Sequence, residues 1–93
     1  MAFDEQKARL DDLKERVSRD QILGVEVELL ALLASATNPY IRKNLRGAWE
    51  AAEKYGREED SPFGGRWKVK GLLLMHLRNA RSWLDSPGMT RDW

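Results

Sequence analysis

Asn38 followed by Pro39 constrains this chain more than any other pair of neighbours. Asparagine is a preferred N-cap because its side-chain oxygen accepts from the free amides of a first helical turn. Proline in the next position has no amide to leave unsatisfied and a φ already near the helical value. A helix therefore starts at Pro39, and what precedes Asn38 must end in a turn. Before that turn lies an apolar run from Ile22 to Ala36. After it, Ile41, Leu45, Ala48, Trp49 and Ala52 recur at helical spacing.

Similar punctuation divides the rest of the chain. Phe3, Leu10, Leu13 and Val17 form a narrow seam at three-and-four spacing, which predicts a first helix over 3–17. Ser18 to Gln21 has the form of a capping box, serine with glutamine three residues on, and predicts a second helix over 19–35. Its GVEVEL stretch alternates with period two, but the apolar run around it is long for a strand. The third helix is expected over 39–55, with Gly56 as its left-handed stop. REEDSPFGG, 57–65, reads as a charged, turn-rich linker. A fourth helix over 66–84 then ends at Asp85-Ser86-Pro87-Gly88, leaving a loosely held tail over 86–93. The expected fold is all-α, a four-helix, mostly antiparallel bundle in one domain spanning 1–93. Helix two, with the widest apolar arc, belongs at its centre and helix one at its edge.

The string LLALLASATNPYIRKNL resembles the turn of a HEAT-type helical hairpin, in which a proline and then an Ile/Val-Arg pair open the second helix. The resemblance covers less than a fifth of the chain, and no second copy accompanies it. It implies a helical hairpin and nothing further.

At 93 residues with 42% hydrophobic and 33% charged side chains, the chain is apolar enough to fold and too balanced in charge for disorder. The absence of cysteine excludes disulfides and thiolate metal sites. The N-terminal sequence lacks the pattern of a signal peptide, and Leu29 to Ala34 is the longest apolar run, so a cytosolic protein with no membrane partner is expected. Charge is uneven. Residues 1–38 carry 5 basic and 8 acidic side chains, whereas 39–93 carry 11 basic and 7 acidic ones. Either the basic half meets an anionic partner, or the two halves attract each other within the fold.

Two residues break the apolar pattern. Glu26 projects into the arc of helix two beside Ile22, Leu30 and Leu33, and His76, the only histidine, projects into the arc of helix four. A carboxylate so placed needs a partner or a proton. Pairing with His76, or with an arginine of helix three, is the expected structural solution. The same pair could in principle act in acid–base chemistry. No nucleophile, phosphate loop or other catalytic motif accompanies it, so no catalytic residue, metal site or cofactor is assigned and an enzyme is not expected.

Binding is the better expectation. Trp67, Lys70, Leu74, Arg78 and Arg81 project together from the outer face of helix four, and aromatic side chains with arginine are typical anchors of interfaces. Arg42, Lys43 and Arg46 form a second basic cluster on helix three, in the place of a recognition helix. The leading expectation is a small non-catalytic interaction module, an adaptor or an inhibitor occupying a partner's surface. Its partner would be a protein with an acidic or nucleic-acid-handling surface, and a phage or mobile-element protein that blocks a host complex fits this description. The alternative is a helical, helix-turn-helix-like DNA- or RNA-binding regulator using the helix-three cluster, or Arg78 and Arg81 of helix four. The seam on helix one leaves a homodimer open. Trp93 and Phe63 flank exposed segments, where the first suits contact with another molecule and the second suits an anchor for the linker.

Overall fold

In the computed structural model, residues 3–57, 65–85 and 93 are described; the side chains of 56, 57 and 65–67 lie outside the described residues. The linker with Phe63 and the tail over 86–92 lie outside them too. Four helices form: α1 (Asp4–Ser18), α2 (Val25–Ser35), α3 (Pro39–Arg57) and α4 (Gly65–Leu84), and no strand occurs among the described residues. They run up, down, up and down, as a mostly antiparallel bundle. The closest pairs are α3 with α4, α2 with α3, and α1 with α4. The centre of the bundle is thus α3 and α4, and α2 is an outer helix rather than the central one expected.

The turn at Asn38 is as its chemistry requires. Asn38 Oδ1 accepts from the amides of Tyr40 (2.9 Å) and Ile41 (3.3 Å). Arg42 then turns back across the hairpin, donating through Nη1 to the carbonyls of Leu33 and Ala36, both at 2.8 Å. It caps the C-terminus of α2, where carbonyls lack intrahelical partners and a cation opposes no dipole. At its other end, α3 continues through Gly56 to Arg57.

The start of α2 departs from the capping-box expectation. Ser18 is the last residue of α1, and its hydroxyl donates back to the Lys14 carbonyl at 2.8 Å. Asp20 then takes a left-handed conformation (φ 60°), with Gln21 N–H on Arg16 O (2.8 Å) and Asp20 N–H on Val17 O (3.0 Å). Those two bonds make a Schellman stop, here built on aspartate rather than glycine. A non-glycine residue in this region costs about 1 kcal/mol, which the side-chain bonds of Asp20 to Lys70 Nζ (2.9 Å) and Tyr55 Oη (3.2 Å) offset. The chain passes Gly24 (φ 85°) before α2 begins at Val25.

One core joins the four helices. Leu10, Leu13 and Val17 of α1, Val25, Leu29 and Leu32 of α2, Ile41, Leu45 and Ala48 of α3, and Leu73, Leu77 and Ala80 of α4 are buried together. The seam of α1 is therefore consumed within the fold and is not a surface for a second copy. Trp93 is also buried rather than loose. Its indole Nε1–H donates to Ser35 Oγ (2.8 Å), and its carbonyl accepts from the amides of Thr37 (2.5 Å) and Asn38 (2.8 Å), which closes the α2–α3 turn.

The α3–α4 contact is close because Gly47 has no side chain. A Cβ added there would lie 2.6 Å from the His76 ring. Gly47→Ala is accordingly expected to lower stability by about 1–2 kcal/mol, overpacking outweighing the gain in helix propensity. Gly71→Ala, which meets nothing within 4 Å, is expected to raise stability by up to about 1 kcal/mol. Urea unfolding of both variants checks this. In a His76→Ala background the penalty at position 47 should vanish, and a penalty that persists there would mean the ring is not its cause.

Candidate functional site

Packing on two neighbours rotates the buried side of α4 away from the arc that its apolar residues alone suggest. Val69, Leu73, Leu77, Ala80 and Leu84 point inward, while Leu72 is exposed and His76 half-buried. Lys70 and Arg81, expected on the outer face, instead lie along the seam with α1. Their stems cover apolar surface and their heads reach acidic groups there. Lys70 Nζ bonds Asp20 Oδ1 (2.9 Å) and the Ser18 carbonyl (3.2 Å). Arg81 Nε bonds Asp11 Oδ1 (3.0 Å), and Arg81 Nη1 bonds Asp85. The hydrogen bond from Arg81, with a further one from Lys7, holds the Asp85 carboxyl below its ordinary range. Two cations of the basic half thus meet acids of the acidic half.

The remaining members of the expected α4 site are dispersed. Leu74 is half-buried against the core and lines a shallow depression of about 480 Å³ with Lys68, Lys70 and Gly71. Arg78 is exposed and makes no ion pair among the described residues. The backbone at position 67 is helical, but the side chain of Trp67 lies outside the described residues.

The expected pair of Glu26 and His76 does not form. Glu26 is half-buried at the margin of α2, where water reaches it, and it makes no hydrogen bond or ion pair among the described residues. His76 belongs to a different cluster. Asn44, 5% exposed, donates through Nδ2 to the Tyr40 carbonyl (3.1 Å), which leaves Oδ1 to accept from His76 Nδ1–H (3.2 Å) and Asn79 Nδ2–H (3.4 Å). Asn44 and Gly47 were missed in the sequence. Their signal was a glycine three residues after an asparagine in the interior of a helix, which marks a close approach.

His76 also edges a trough of about 570 Å³ across the outer side of α3, with Leu33, Lys43, Arg46, Gly47 and Glu50 around it. The basic cluster expected to read nucleic acid lies here, but only in part as free charge. Arg42 is held on the carbonyls of α2, and Arg46 Nε stands 3.5 Å from Glu50 Oε1. No three His, Cys, Asp or Glu side chains gather as a metal-binding group among the described residues.

The surface feature with the strongest physical consequence is the outward face of α2. Leu23, Val27 and Leu30 are 94%, 70% and 46% exposed, and Ala31 and Ala34 are exposed beside them. Positions 27, 30, 31 and 34 share one face of α2 at the spacing of a helical docking stripe, and Leu23 lies just ahead of the helix, in the turn that ends at the left-handed Gly24. Because Val25, Leu29 and Leu32 fill the inward face, α2 is apolar on both sides. A helix apolar all round is normally enclosed, and here one side meets water. Comparison with protein-family models, curated proteins and solved structures finds no match to this chain.

Burial depresses the His76 pKa below its ordinary value, with the Lys43 charge acting in the same direction and Glu50 against it. The folded state then binds fewer protons than the unfolded one as pH falls through about 6.5. Stability should be at its full value above that pH and decline on acidification toward the lower folded pKa. Urea midpoints at pH 7.5 and 5.5 are expected to differ more for the wild type than for His76→Gln. Equal differences would remove His76 as the group responsible.

Proposed function

We propose that this chain is a small, non-catalytic protein-interaction module of the cytosol, an adaptor or an inhibitor that works by occupying a partner's surface, and that it docks through the outward face of α2. The observation that carries this reading is the exposed stripe of Leu23, Val27 and Leu30. Burying one such side chain is worth roughly 1.5–3 kcal/mol, so Val27 and Leu30 on the helix face, with Leu23 in the turn before it, supply the hydrophobic centre of an interface. The polar rim is at hand in Glu26 on one side and Glu28, which is bonded to Arg16, on the other.

The outer face of α4 supports this role less well, since Lys70 and Arg81 are engaged with α1. The nucleic-acid reading is weakened similarly by the capping role of Arg42. Among the described residues no helix is long and apolar enough to cross a membrane, so the α2 stripe is not part of a span.

Site-specific photo-cross-linking tests the assignment. A photoreactive residue is placed at Val27, at Arg78 or at the exposed Glu15, and each variant is irradiated in native lysate with and without nuclease. Adducts to protein at position 27, resistant to nuclease and absent at 15, are expected. Adducts at 78 alone would move the working surface to α4, and adducts lost on nuclease treatment would favour nucleic acid.

A further inference from the structure

The charges around the α2 stripe are ordered along its length. Tyr55 Oη meets Asp20 at one end of the α2–α3 pair, and Arg42 meets Leu33 and Ala36 at the other. These anchors set the antiparallel register. Glu26 stands in the first turn of α2, near the first end, whereas Lys43 lines the trough beside Leu33, near the second, where Arg46 is paired with Glu50. The face therefore has an acidic end, an apolar middle and a basic end.

We infer that the occupant of this face is a second copy of the chain, bound with its α2 antiparallel to the first. This rests on the reading of α2 as a docking surface and names its partner. A two-fold axis across the middle of α2, pointing toward α3, reverses the direction of α2 and keeps both α3 helices on the same side. Leu23, Val27 and Leu30 then meet their own counterparts in reversed order. Glu26 of each copy comes to the level of Lys43 and Arg46 of the other, so acid faces base twice. Such self-complementarity is what an isologous interface requires. A partner with one sign of charge, such as an acidic helix, would match one end and be repelled at the other.

Size sets the strength. The 11 residues of α2 span about 16 Å, and a helix pair of that length falls short of the roughly 1,200 Å² buried in stable complexes. The two charged ends of α3 must join the contact, and the dimer should be reversible at micromolar concentration.

Sedimentation equilibrium of the purified full chain from 1 to 500 µM, at low and high salt, tests this. Concentration-dependent dimerisation is expected, and Leu30→Glu should abolish it while the helical circular dichroism and melting transition persist. Glu26→Lys alone, or Lys43→Glu with Arg46→Glu, should weaken dimerisation roughly tenfold, since each change acts twice across the axis. Combining the three reversals in one chain should restore it. A wild type that is monomeric throughout, or reversals that fail to compensate, would overturn the second copy as occupant. If adducts to a different protein still form at position 27, the docking reading survives that result; if none form, both fall.

Discussion

The contact between α3 and α4 is the constraint on which the rest of the molecule depends. Gly47 lets the His76 ring lie against the α3 backbone, and Asn44 holds that ring in place beside it. Above and below this polar point, Leu45, Leu73, Leu77 and Ala80 are fully buried, and Tyr40 stacks on Trp83 with ring centroids 4.3 Å apart. An asparagine buried with its amide and carbonyl both bonded sets register in a way that interchangeable leucines do not. Once α3 and α4 are locked at this distance and rotation, the positions left for α1 and α2 are decided. The first lies along the Lys70–Arg81 side of α4, and the second along α3, where Arg42 reaches the Leu33 carbonyl.

The first helix is guided to its place by charge as well as by its seam. Asp11 and Asp20 of the acidic half receive Arg81 and Lys70 of the basic half, at opposite ends of the α1–α4 contact. Exposed ion pairs are worth little individually. Together they fasten α1 to α4 at both ends of that contact. Asp20 couples this contact to the chain path, since the same carboxylate sits in the left-handed position that stops α1. The bulk charge asymmetry thus finds part of its explanation inside the fold.

The fold class and element count were legible because they depend on local signals. Asn38-Pro39, the α1 seam and the periodicity of α3 each act within a few residues and agree with one another. The start of α2 was not legible, because Ser18 to Gln21 satisfies two local patterns at once, a helix start and a helix stop. Tertiary bonds from Tyr55 and Lys70 to Asp20 select the stop. The rotation of α4 was hidden for a related reason. Counting apolar residues locates the centre of an arc that faces one neighbour, but α4 has two, and on the α1 side the buried flank is made of Lys and Arg stems. Glu26 and His76 interrupt the apolar pattern of their helices, yet Glu26 lies half-buried at the margin of α2 and His76 meets Asn44. Which exceptions meet is a property of helix order and depth, and the sequence pattern carries neither.

The breadth of apolar residues on α2 has a different lesson. In an isolated bundle, such breadth means a central helix, enclosed on all sides. Here α2 is the shortest of the four helices, lies at the edge of the bundle, and keeps Leu23, Val27 and Leu30 in water. Among the described residues no packing demand explains those three side chains, since Val25, Leu29 and Leu32 already fill the inward face. A polar residue at each position would preserve the inward face and improve solubility. The composition of α2 is therefore the kind that the proposed association would enclose. A second copy, as proposed, would cover that face, and a bundle of this size, with a correspondingly modest core, would gain stability from it.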